Sequence, residues 1–447
     1  MSGHAPDYTP TYNAIPGRKI SSKVKGLCGL GVAIGIVATV IGFTGDKVSI
    51  HRAQGAFITN FMYFNGIAMG GFIFAAIGMP TYARWQKRFK RISEAFTIFM
   101  PVSCVLVFTF FALGGFDAYP WHHEFDSLPA HKHIYFIKSF FWARLIIGML
   151  LMTILPLIFV KKSLAADLYV ATKKMQEMGL EVPKSWSSGF FRAGEYESEE
   201  DAAEKSQSFM QVFAPILCAT YAIVVSVIAV DLSMSLAPHF FTNMYPAWYF
   251  MSCGWSGLVW TTLFALLAGK WMGIKHLIRP SDTHDIGKLT FAFCMFWGYT
   301  TFAQYLPIWY GNMTEEIGFI LIRTHSETWS VTTRVMMVIC FAAPWTILLS
   351  RGLKKIPYAL ASVGVLMAVG IWLERFVVNM ASVHTYHMHE TGLPLGFIEI
   401  GMALGFLGIF VFTILKFLED KPGAVVADPF MNPDPGHIEV HPAHHSV

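Results

Sequence analysis

Apolar residues run along this chain in long blocks separated by short polar stretches. Ten blocks approach or exceed the roughly 20 residues a helix needs to cross a hydrocarbon core. They lie at about 26–44, 55–79, 94–115, 138–160, 208–230, 246–270, 287–309, 329–350, 356–379 and 393–417. The pattern predicts an all-α polytopic membrane protein with about ten transmembrane helices in two packed bundles. The polar stretch before residue 26 is too long for the n-region of a cleaved signal peptide, so the first block reads as a retained helix.

The polar stretches divide the chain into an N-terminal segment (1–25), a first helix group (26–160), a loop (161–207), a second helix group (208–417) and a tail (418–447). The first part of the loop, LAADLYVATKKMQEM, is amphipathic; the second, GEYESEEDAAEKS, is acidic and reads as solvated. The tail is rich in Pro and ends HPAHHSV, a mobile segment or a docking one. Lys and Arg set the orientation. Arg18, Lys19, Lys23, Lys25, the run Arg84 to Arg91, Lys275, Arg279, Arg351, Lys354 and Lys355 share one side, while Lys47, Arg52, Lys132 and Arg323 have the other. Both termini are therefore expected in the cytoplasm.

Composition agrees with a lipid solvent. The chain is 54% hydrophobic and 14% charged, where a soluble protein carries about 25% charged residues, and its mean hydropathy is +0.48. Disorder, a secreted disulfide scaffold and an ordinary soluble enzyme are excluded. The net charge of +4 gives no reason to expect nucleic acid as a partner. The six cysteines lie in apolar runs, and none forms CxxC or CxxCH, so they read as buried thiols. No haem or iron–sulfur centre is expected in this chain.

No histidine falls at the middle of a block, which argues against a membrane haem held by two imidazoles. Ten of the seventeen (His51, His122, His123, His131, His133, His239, His325, His384, His387 and His389) fall on the outer side of the expected topology. Arg144 sits about six residues, roughly 9 Å, into the fourth block. Asp231, Arg334, Glu374, Arg375 and Glu399 also read as near outer ends. Such charges face a bundle interior, where they pair or line a ligand or proton path. HTYHMHE (384–390) reads as an interface loop before a span rather than a metal site, and GIAMGG (66–71) reads as close helix packing.

An outer polar belt in a helical bundle suits quinol oxidation. The headgroup needs two hydrogen-bonding ends and loses two protons, which a His or carboxylate near the interface accepts. Trp121, Phe140 and Trp142 are candidate aromatic walls. A secondary transporter of a small solute or ion is the rival reading, but its site is expected near the midplane, where the sequence reads as apolar. A membrane anchor without a site of its own is the third.

The runs TNFMYFNGIAMGG (59–71), RISEAFTIFMP (91–101), HKHIYFIKSFFWAR (131–144), VDLSMSLAPHFF (230–241) and GKLTFAFCMFWGYTTFAQYLPIWYGNMTEE (287–316) resemble the second quinone-type membrane subunit, the ActF family, of bacterial alternative complex III. More broadly the chain is similar to the NrfD/polysulfide-reductase membrane subunits. The stretch WLERFVVNM (372–380) looks more like the sister subunit of that complex. The resemblance implies a subunit of a quinol:cytochrome c oxidoreductase in the bacterial inner membrane. Its partners would be a sister membrane subunit, an iron–sulfur subunit and multihaem cytochrome c subunits, with quinol bound here or by the sister. His122, Glu124, Asp126 and His131 are then the candidate proton acceptors, and Arg144, Asp231 and His239 line the same outer cavity. Gln304, Tyr310, Glu315 and Glu316 are candidates for docking the extrinsic subunits. Proton conduction would also need polar stations in the inner half, where Tyr299, Thr300, Thr301, Ser103 and Asn65 are available and no carboxylate is evident.

Overall fold

The computed structural model describes residues 18–128, 130–275, 277–388 and 392–427. These residues form helices joined by turns, with no strand among them. The long helices are α1 (Ser22–Thr44), α2 (Lys47–Ile77), α3 (Lys87–Ala112), α4 (Lys138–Glu177), α5 (Glu199–Leu236) and α6 (Met244–Leu267). After them come α7 (Pro280–Gly311) and the shorter α8 (Thr314–His325), then α9 (Ser330–Leu349), α10 (Pro357–His387) and α11 (Phe397–Glu419). Local chemistry sets their starts. Ser21, Asp46 and Ser198 accept the backbone N–H three residues on, and Pro280 and Pro357 open α7 and α10 where no donor is needed.

Among the described residues nine of these helices are long and apolar enough to cross a membrane. The ten-block count differs at α7. That helix has 32 residues, ample length, but Gly298, Tyr299, Thr300, Thr301 and Gln304 dilute its apolar run. The segment 161–207 is also less of a loop than expected. Helix α4 continues unbroken to Glu177, and α5 starts at Glu199. Its amphipathic stretch keeps its helical period and buries Leu164, Asp167, Leu168 and Ala171 against neighbouring elements.

Helix α2 is the hub. Its most apolar stretch is 89% buried, against 22% for α1 and for α9, which form the rim. The two helix groups expected from the sequence meet along it, because α2 packs on α6 and α10 while α1 packs on α11. Glycines permit both approaches. A Cβ at Gly70 would stand 1.8 Å from the Cys253 carbonyl oxygen of α6, and one at Gly35 would stand 2.4 Å from Gly405 Cα of α11. Five of the six thiols are buried and all are free.

The connections gather at two ends. At one, His51 stacks on His387 with ring centroids 3.9 Å apart, and Tyr386 donates to Glu124 over 2.6 Å. At the other, Arg18 donates to the carbonyls of Met272 and Lys421, and Trp186 Nε1 donates to the Asp420 carbonyl. The start of the tail is tied down there: the amides of Val426 and Ala427 both donate to Asp167, over 2.9 and 2.7 Å. That carboxylate also pairs with Arg91, which pairs in turn with Glu94. Buried carboxylates are thus present at the end where none was evident in the sequence.

Candidate functional site

Helix α10 runs through to His387 rather than ending near residue 379, because its last turns carry Ser382 and His384 inward against other helices instead of toward lipid. Two expectations change with it. His384 and His387 lie on the last turn of a helix, not in a loop, while His389 and Glu390 lie outside the described residues. Glu374 and Arg375 lie 13 and 12 residues before the helix end, so Glu374 is about 20 Å in at 1.5 Å per residue, not near an outer end. Both are buried, and the middle of the molecule is therefore not uniformly apolar.

Glu374 lines a chamber of about 680 Å³ between α6, α7, α8, α9 and α10, and Arg375 pairs with it from outside the lining. Arg375 donates to Glu374 Oε1 over 2.9 Å and to Ser252 Oγ over 2.8 Å, and its guanidinium lies over Tyr249 and Trp248. Glu374 Oε2 and the indole N–H of Trp297 on the facing wall lie toward each other without closing a well-formed hydrogen bond. Trp248 Nε1 donates to Thr301 Oγ1 over 3.0 Å, and Gln304, Thr324 and Thr333 add polar groups to a wall that is otherwise mostly aromatic and aliphatic. Phe302 and Met337, at the α7 and α9 margins, line the chamber and are exposed.

A vestibule of about 530 Å³ adjoins it on the histidine-bearing side, with Glu124, His239, Ser382 and Tyr386 in its wall. Phe240, Phe319 and Arg323 border both spaces. The two rings stack with centroids 3.8 Å apart, and the Arg323 guanidinium covers Phe319 at 3.4 Å. Arg323 donates to the Phe319 and Val378 carbonyls and to Ser382 Oγ, while its Nε has no partner. It is buried with no carboxylate partner among the described residues. Burial pulls its pKa down to about 9, which leaves it cationic at neutral pH. A cation held without an anion favours a ligand that brings electron-rich oxygen.

Of the residues singled out in the sequence, Glu124 and His239 line the vestibule, while Glu374, Thr301 and Gln304 line the deep chamber, Gln304 there instead of on an outer docking surface. Arg144 is occupied otherwise. It makes paired hydrogen bonds to Asp231 at 3.1 and 2.9 Å, donates to the Tyr135 carbonyl, and lies between the rings of Tyr135 and Phe140. Neither Arg144 nor Asp231 lines the vestibule, because the pair closes on itself between α4 and α5. Trp121 is buried against Phe116, Phe136 and Phe141, and Trp142 packs on Phe108 and Phe111, so with Phe140 they form no shared wall around a ring. His122 contacts Lys138 Nζ at 3.2 Å, and its pKa is lowered, first by burial and then by the neighbouring Lys138 and His123, against the opposing pull of Asp117. Asp126 is exposed in a short turn; Tyr310 is exposed and Glu316 half-buried at the start of α8. The side chains of His131 and Glu315 lie outside the described residues.

Sequence reading missed Arg323, Trp297, Phe240, Phe319 and Tyr386. One signal was available. Trp297, Thr301, Gln304, Tyr305 and Ile308 recur at helical spacing along α7, and this same polar-aromatic stripe holds the helix below the apolarity of its neighbours. No model of a known protein family matches the chain, and no curated protein matches it.

Proposed function

We propose that this chain is an integral membrane subunit of a quinol-oxidising respiratory complex of the alternative complex III type, and that the deep chamber receives the quinol headgroup. The observation that carries the reading is a set of three incompletely satisfied groups in one aromatic chamber: Glu374 Oε2 as acceptor with Trp297 N–H beside it, and Arg323 Nε as donor. A quinol headgroup has the matching chemistry, a hydroxyl to donate at one end and an oxygen to receive donors at the other. The exposed margin between α7 and α9 lets an isoprenoid tail stay in lipid. The two electrons leave one at a time to a one-electron carrier in a partner subunit, and Glu374 takes the two protons in turn, passing the first on before it accepts the second. The vestibule carboxylate and imidazole, Glu124 and His239, take protons onward to the outer face.

In this reading α7 crosses as well, which gives ten spans, and both termini face the cytoplasm of a bacterial inner-membrane protein. The partners are a sister membrane subunit, an iron–sulfur subunit and multihaem cytochrome c subunits. Proton conduction to the opposite side would use the buried Glu94 and Asp167, and the reconstituted complex should then move more protons than quinol oxidation releases.

Glu374→Gln keeps the side-chain shape and removes the acceptor charge. Quinol turnover by the assembled complex should fall about 100-fold or more, with the subunits still bound. Unchanged turnover would remove the chamber from the reaction. The transporter reading gains one observation, the buried Glu374–Arg375 pair in the interior of α10. Solute flux by the reconstituted chain alone, without quinol, would favour it.

A further inference from the structure

We propose that a second cavity, on the far side of α10, holds one anionic phospholipid. This cleft of about 790 Å³ lies between α1, α2, α6, α10 and α11, with Phe264, Val369, Leu404, Leu407 and Leu415 among its walls. It follows α11 from Ile400 to Leu415, about 22 Å at 1.5 Å per residue.

The polar side chains along its length are already satisfied. Trp260 Nε1 donates to Tyr63 Oη over 2.9 Å, Tyr63 donates to the Ala368 carbonyl over 2.7 Å, and Trp372 Nε1 donates to Asn60 Oδ1 over 2.9 Å. Nothing there asks for a hydrogen-bonding headgroup, which separates this cleft from the deep chamber. Its occupant along that stretch is hydrocarbon.

Charge is confined to one end. Lys19 and Ser21 form the mouth, Lys19 is exposed without an acidic partner among the described residues, and Lys23, Lys25 and Lys270 are exposed on adjacent segments. The nearby carboxylate Glu419 is already engaged by the Ile20 amide and Lys416. Lysines beside an apolar intramembrane cleft complement a phosphate headgroup whose acyl chain fills the cleft.

The test is native mass spectrometry of the intact protein, delipidated in mild detergent and titrated with phosphatidylglycerol or phosphatidylcholine. The wild type should retain one phosphatidylglycerol with roughly fivefold preference, the effect of about one lysine at the surface. Ala403→Trp, and Val369→Phe from the facing wall, should each lose the retained lipid while keeping the wild-type helix content. Lys19→Gln should bring the two lipids to equal retention. Retention unchanged in both filled variants, or equal retention of the two lipids by the wild type, would overturn the proposal.

Discussion

Buried charge is handled in two ways. Arg144 with Asp231, and Arg52 with Glu399, are closed pairs with both guanidinium arms used. Glu374 and Arg323 are left with unused hydrogen-bonding capacity. The closed pairs are structural by this criterion, so Asp231→Ala should cost about 1.5–3 kcal/mol by removing the charged partner of the part-buried Arg144. A thermal melt in detergent checks it, and an unchanged midpoint would mean that Arg144 is not held by Asp231. His122 makes a second prediction. Burial, Lys138 and His123 all disfavour its charged form, so it should titrate below 6.5, and Lys138→Ala should raise its midpoint, as read by NMR. Because the folded pKa is the lower one, the stability this site contributes is present above pH 6.5 and is lost as pH falls through the folded value. Residue types at these positions were legible in the sequence. Which charges close on each other was not, since Arg144 meets Asp231 across 87 residues.

At the scale of elements, hydropathy located the helices but misplaced several of their ends. It sees lipid-facing surface, and so it stopped short where α10 turns polar groups inward and where α4 leaves the apolar zone as an amphipathic rod. Helix α9 carries a further local feature. Residues Val338–Ala342 form a π-helical turn against Gly370 of α10, where a Cβ would stand 3.0 Å from the Cys340 backbone. The turn places Phe341 beside Gly298 at the chamber wall, and such turns often accompany functional sites. The glycine contacts give a paired prediction. Gly35→Leu forces α1 off α11 and should destabilise by about 1–3 kcal/mol. Gly29→Leu, on the same helix with no atom within 4 Å of its Cβ, should leave the melt unchanged. Equal melts for the two variants would show that the α1–α11 contact is not tight.

For the whole molecule, the two ends differ in chemistry. One gathers imidazoles, Glu124 and Tyr386 around the vestibule; the other laces the residues after Arg18, the segment around Trp186 and the start of the tail onto Asp167 and Arg91. That imidazoles and carboxylates gather at one end was legible, and Glu124 and His239 of that group do line the vestibule. The chamber itself was not legible, because residues 240 to 378 build it from five helices and only packing brings them together. The most direct test of the central claim is purification of the tagged chain in mild detergent, with a reduced-minus-oxidised spectrum and mass spectrometry of what comes with it. A subunit of a quinol-oxidising complex should bring a c-type haem signal, an iron–sulfur subunit and a sister membrane subunit. A colourless protein without partners under the same gentle conditions would contradict the respiratory assignment.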